Sequence, residues 1–141
     1  MFKFIIRYFG FLKFVPGLAL VFDAFLVLWT LMTNPALLDH MDALEKKVLS
    51  WPNTTSTIHK YGGLQLNYGK KELGHIHGNG LLDMLLNRKL KAYVMGNDSK
   101  IKDHHSFKDS GWISFYIKDE CDKQVALNLF NLAYQWHVNK G

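Results

Sequence analysis

The hydrophobic positions of this chain follow two different patterns, which part at Asn34-Pro35. From Phe14 to Met32 the residues read F-V-P-G-L-A-L-V-F-D-A-F-L-V-L-W-T-L-M, 19 residues in which Asp23 is the single charge. A run of that length can cross a hydrocarbon core of about 30 Å. Pro16-Gly17 would kink or start a helix there, and Asn34-Pro35 ends the run. Ahead of it, Met1 to Lys13 sets Lys3 and Arg7 four apart among phenylalanines and isoleucines, a composition suited to the headgroup layer. Three readings compete: a membrane anchor, a secretory signal peptide, or a buried helix. No small-x-small cleavage site follows the run. Asp23 counts against a simple span, at roughly 2.5–3.5 kcal/mol for a mid-bilayer acid, but its apolar neighbours outweigh that on the same scale. The expectation is a hydrophobic helix within residues 1–33 that anchors the chain at a membrane, spanning or partly inserted. If it spans, the basic N-terminus stays cytoplasmic.

Residues 34–141 show the mixed periodicities of a folded domain. Leu38, Met41, Leu44, Val48 and Leu49 recur at helical spacing, with Asp39 as a possible N-cap and Trp51-Pro52-Asn53 as the stop. Three strands are expected next, over 55–60, 64–68 and 71–77, separated by turns at Tyr61-Gly62-Gly63 and Gly69-Lys70. After Gly78-Asn79-Gly80 comes a short apolar strand, 81–85, and then a helix over 87–95. A polar loop spans 96–103. Trp112, Ser114 and Tyr116 alternate with Ile113, Phe115 and Ile117, so 111–117 is a strand. Asp119 caps a last helix reaching about Val138, with Val125, Leu129, Leu132 and Trp136 along one stripe. Hairpins followed by helix, strand and long helix predict an α+β domain, a small antiparallel sheet with helices packed on one face.

Composition narrows the function. At 141 residues and 48% hydrophobic content there is one domain's worth of chain and a core to fill it. Cys121 is the only cysteine, so an intrachain disulfide and a four-cysteine zinc site are both excluded. The net charge of +5 is scattered, +2 before residue 34 and +3 after it, with no basic run that would track a phosphate backbone. No nucleic-acid partner is expected.

The chemistry concentrates in histidines. On a strand, His75 and His77 of Glu72-Leu73-Gly74-His75-Ile76-His77 project to one face. Glu72 points with Ile76 unless Gly74 marks a bulge. A hairpin through 78–80 would bring Asp83 beside the pair. His104-His105 closes the polar loop, and Asp109-Ser110-Gly111 leads into Trp112. A bland reading stands beside each: a hydrogen-bonded surface pair, a plain turn, a core tryptophan, a Glu72–lysine ion pair. If the cluster is a site, two mechanisms fit. One is metal binding through His75, His77 and His104 or His105, completed by Asp83 or Glu72. The other is metal-free base catalysis by a histidine, with Arg88 or Ser110 stabilising an enolate or oxyanion. Cys121 sits in an acidic run that disfavours its thiolate.

The E-L-G-H-I-H of 72–77, the following Asp83 and the H-H-S-F-K-D-S-G-W-I-S-F of 104–115 resemble the luciferase-like domain family, best known from fungal luciferases. The likeness runs from about Trp51 to Trp136; the family's usual D-x-P-F is here Asp83-Met84-Leu85-Leu86. The resemblance implies oxidation of an enolisable or phenolic small molecule by molecular oxygen, with no metal or flavin cofactor. It also implies a hydrophobic leader, as in the fungal enzymes. By position it marks His75, His77, Asp83, His104 and His105 as catalytic, and Asp109, Ser110 and Trp112 as pocket residues, beside Glu72 and Arg88. This chain is short for the family, so light emission is not expected of it. A non-catalytic ligand-binding module at a membrane and a histidine-ligated metal enzyme are the alternatives.

Overall fold

A computed structural model describes residues 15 and 17–140. The chain runs α1 (Leu18–Thr33), α2 (Pro35–Leu49), β1 (Thr54–Ile58), β2 (Leu64–Tyr68), β3 (Lys71–Ile76), β4 (Leu81–Leu85), α3 (Arg88–Asn97), β5 (Lys102–Asp103), β6 (Trp112–Tyr116) and α4 (Glu120–Val138). The strands form one antiparallel sheet in the order β1-β2-β3-β4-β6-β5. The fold is thus α+β, as the periodicities predict. Two caps come straight from the sequence. The Asn87 side chain accepts the Leu90 N–H at 2.9 Å, and the Asp119 side chain accepts that of Asp122 at 2.8 Å.

The start of α2 differs from expectation. Asn34, not Asp39, stands at its N-cap, and Pro35 occupies the first turn. A proline there has no N–H to leave unsatisfied and brings a helical φ. The break at Asn34 therefore ends one helix and starts the next, with a 119° bend between them. Within the expected polar loop, Lys102–Asp103 adds a short edge strand on β6.

The sheet has two unlike faces because its strands alternate. Leu66, Leu73, Ile76, Leu82, Met84, Ile113, Phe115 and Ile117 face a core shared with Leu37, Met41, Leu44 and Val48 of α2 and Ala126, Leu129, Phe130 and Ala133 of α4. The intervening positions, His75, Asp83 and Ser114, lie across from one another on the opposite face. The pairing of β2 with β3 slips by one residue: Leu66 faces Gly74 but Asn67 faces Glu72, leaving Leu73 as the extra residue of a bulge. That bulge returns Glu72 to the histidine face.

Helix α1 crosses the two hairpin turns at one end of the sheet. Thr30 donates its hydroxyl to the Gly78 carbonyl at 2.8 Å, and Asp23 accepts the Gly78 N–H at 2.9 Å. The approach is close enough to require glycine: a Cβ on Gly78 would lie 2.5 Å from a Val27 methyl and 2.7 Å from the Val27 nitrogen. At 16 residues α1 is shorter than the apolar run of the sequence. No single helix among the described residues is long and apolar enough to cross a membrane, although α1 and α2 pass that test as a bent pair. The expected interfacial segment 1–13 lies outside the described residues.

Candidate functional site

The site is built on one row of the sheet. His75 on β3 faces Asp83 on β4, and Asp83 faces Ser114 on β6. His77 follows two residues after His75, and His104 arrives from the loop after β5. Asp83 is 2% exposed, and its Oδ1 accepts a hydrogen bond from the Ser114 hydroxyl. Its other oxygen, Oδ2, is the point on which three imidazoles converge: His75 Nε2 at 3.8 Å, His77 Nε2 at 3.8 Å and His104 Nε2 at 3.7 Å. All three distances exceed hydrogen-bonding range.

The far nitrogen of each ring sets its tautomer. His75 Nδ1 lies 2.6 Å from Glu72 Oε1, and His77 Nδ1 lies 3.3 Å from Asp23 Oδ1. Burial raises the pKa of both carboxyls. In Glu72 the hydrogen bond from His75 together with the charges of His75, His59 and Lys60 outweighs it, and in Asp23 the hydrogen bonds from His77 and the Gly78 and Gly63 amides with the His77 charge do, so each sits below its usual value. A carboxylate only accepts, so in each ring Nδ1 carries a proton, and in the neutral ring Nε2 presents a bare lone pair. His104 is the reverse. Its Nδ1 accepts the Ser106 N–H at 3.1 Å, so the neutral ring carries its proton on Nε2, toward Asp83. Burial, partly opposed by Asp83, lowers the His104 pKa and favours that neutral form.

Aromatic rings wall the basin. Trp112 stands 6.0 Å from the His75 ring and 5.8 Å from His104, while His105 stacks on His104 at 4.3 Å. Glu72, His75, His77, Asp83, His104, His105 and Trp112 are thus brought together. Arg88, Asp109 and Ser110 are not. Arg88 donates to the Asp109 carbonyl at 3.0 Å, and Ser110 Oγ donates to the Phe107 carbonyl while accepting the Trp112 N–H. Their hydrogen bonds hold the loop that carries His104. Lys91 helps, reaching the Lys108 and Ser110 carbonyls and Asp103.

Two site residues escaped the sequence reading. Asp23 had a visible signal: it is the one acid in an apolar run, and such a residue marks a functional contact more often than a defect. His59 had none, since it merely follows a strand. It is 6% exposed and stacks flat on His75, ring centroids 3.7 Å apart and 6° from parallel. Burial, with His75 beside it, pushes its pKa down to about 4. Two surface hollows, one on α2 around Asp42 and Lys46 and one between α3 and α4 around Tyr93 and Leu132, contain no histidine and stand apart from this chemistry.

The α+β sheet thus bears a carboxylate-backed histidine cluster on the face away from its core. The family described as Luciferase domain matches residues 70–133, from the start of the His75 strand into α4, so over that stretch the chain is similar to luciferase-like domains. No curated protein and no solved structure matches the chain.

Proposed function

We propose that this chain is a membrane-associated enzyme of the oxygenase type that acts on an enolisable or phenolic small molecule in the histidine basin. The observation that carries this reading is the carboxylate on the Nδ1 of His75 and of His77, which leaves Nε2 bare in each neutral ring. A histidine so held is a base in the correct tautomer. His77, the more open of the two, takes the acidic proton of the substrate. The anion then forms a carbon–oxygen bond to molecular oxygen, and His77 returns the proton to the distal oxygen of the hydroperoxide. In this reading Trp112, whose ring lies beside those of His75 and His104, lines the seat of the anion.

Association with a membrane is supported by the outer face of α1. Its polar residues Asp23 and Thr30 turn to the sheet, while Leu20, Val21, Phe25, Leu28, Trp29, Leu31 and Met32 are exposed. A patch of that size is a docking surface for something apolar, and the bases Lys3, Arg7 and Lys13 that precede it suit anionic headgroups.

The test is oxygen uptake by the full chain with hydroxypyranone and phenolic substrates. Uptake is expected to fall about 100-fold or more in His77→Ala and His75→Ala, the usual reach of general-base catalysis. Unchanged uptake in both folded variants removes these residues from the mechanism. The same bare nitrogens also suit a bound cation.

A further inference from the structure

We infer that His75, His77 and Asp83 form a binding site for one divalent first-row transition-metal ion. Each offers one ligand atom, and the three atoms lie within 4.8 Å of one another. His75 Nε2 and His77 Nε2 both stand 3.8 Å from Asp83 Oδ2. Two ligand atoms on a tetrahedral ion with bonds of about 2.1 Å are about 3.4 Å apart. The observed spacing is a few tenths of an ångström wider, too long for hydrogen bonds and close to what a cation between them requires.

Three further features agree. First, the rings are already set for ligation: Glu72 and Asp23 hold the Nδ1 protons, the carboxylate–histidine–metal arrangement that orients imidazole ligands and raises their basicity. Second, Asp83 is likewise oriented, by Ser114 on its other oxygen. Third, the basin is acidic. Asp23, Glu72 and Asp83 surround the basin, and among the described residues no lysine or arginine pairs with any of them. A carboxylate 3% exposed, with the Ser114 hydroxyl on one oxygen and three imidazoles facing the other beyond hydrogen-bonding range, favours a cation.

The geometry also says which residues do not ligate. His104 turns its Nε2–H toward Asp83, so it supports the carboxylate instead of the ion. His59, Glu72 and His75 form a second compact group. However, the His59 and His75 rings are stacked nearly parallel, and in-plane lone pairs of stacked rings cannot aim at one point between them. Two imidazoles and one carboxylate leave the remaining coordination positions open, a donor set suited to iron(II), manganese, cobalt or zinc and to an anionic oxygen ligand.

The inference rests on the basin and stands as an alternative to base catalysis by His77, since an ion there takes up the Nε2 lone pair that the base needs; its test needs no substrate. Tag-free full chain, freed of metal with a chelator and dialysed, is titrated with cobalt(II). Binding is read by visible absorption and by metal counted per chain. One equivalent is expected, with His77→Ala and Asp83→Asn losing it while circular dichroism stays native. Glu72→Gln and Asp23→Asn, which keep the ligands, should weaken binding about 10- to 100-fold. A folded wild-type chain that takes up no cobalt overturns the inference whatever the variants do. So does one equivalent that persists undiminished in His77→Ala, which would place the ion on other histidines. Cobalt binding without oxygen uptake would leave the metal site standing and remove the oxygenase reading; uptake without cobalt binding would do the reverse.

Discussion

At the scale of single residues, the working parts of the basin are the far sides of its histidines. His75 and His77 differ from ordinary surface histidines because Glu72 and Asp23 fix which nitrogen holds the proton. The His-x-His spacing and Asp83 could be read from the sequence because both follow from strand alternation and a short hairpin. Asp23 stands out as the one acid of an apolar run but could not be placed, and His59 gave no signal, since they reach the row from a helix and a strand end elsewhere in the chain. Arg88 and Ser110 carry the residue types of an oxyanion site, yet backbone carbonyls accept an Arg88 N–H and the Ser110 hydroxyl. Residue type alone does not reveal that. His59 supplies a pH prediction for the metal-free protein. Its folded pKa, about 4, lies below the ordinary imidazole value of 6.5. Between those values the unfolded chain takes up a proton that the folded chain refuses, so stability falls as pH drops from 6.5 toward 4. Glu72 and Asp23, whose pKa values are lowered too, lose their contribution further down, below the ordinary carboxylate range. Denaturant unfolding at several pH values should show His59→Phe retaining up to roughly 3 kcal/mol that the wild type loses over that window. Parallel pH profiles would contradict it.

At the scale of elements, the bulge in β3 and the seat of α1 decide the site. The bulge at Leu73 turns Glu72 onto the histidine face, a result alternation forbids in a regular strand. The Gly74 beside it is the only mark it leaves in the sequence. Helix α1 reads as uniformly apolar, so its direction was not legible: a run with one acid and one buried threonine gives no stripe to orient it. The fold supplies the orientation, with Asp23 and Thr30 inward and the large apolar side chains outward. Two experiments follow. Gly78→Ala puts a methyl against the Val27 backbone, so α1 must shift; a loss of about 1–3 kcal/mol is expected in thermal or denaturant melts, and no loss would mean α1 is not seated as described. For the outer face, the full chain should float with vesicles containing anionic lipid, and Phe25→Glu with Leu28→Glu should release it at least in part. Those side chains touch solvent and not the core, so the fold should survive the change. A wild-type chain that stays with the soluble fraction would contradict the membrane reading.

At the scale of the whole molecule, the sheet separates stability from chemistry. One face is closed by α2 and α4 around Leu82, Met84, Ile113 and Phe115, and the other carries polar side chains in a row. The alternation along β3, β4 and β6 makes that division readable from sequence, and the Asp119 cap fixes where α4, one half of the covering layer, begins. The strand order was not readable: β6 inserts between β4 and β5 because a non-local pairing, Asp83 with Ser114, closes the row. That insertion brings Trp112 and the His104 loop to the histidine pair, which is why residues 72–77 and 104–115 act as one motif. The proposed catalysis and the proposed metal site share a single premise, bare Nε2 atoms on His75 and His77. Long-range proton–nitrogen NMR of the metal-free chain at about pH 8, above the ordinary imidazole range, reports the tautomer of each ring directly. The account predicts both rings protonated on Nδ1, with Glu72→Gln and Asp23→Asn weakening that preference in His75 and His77 respectively. Protons on Nε2 in the wild type would contradict it.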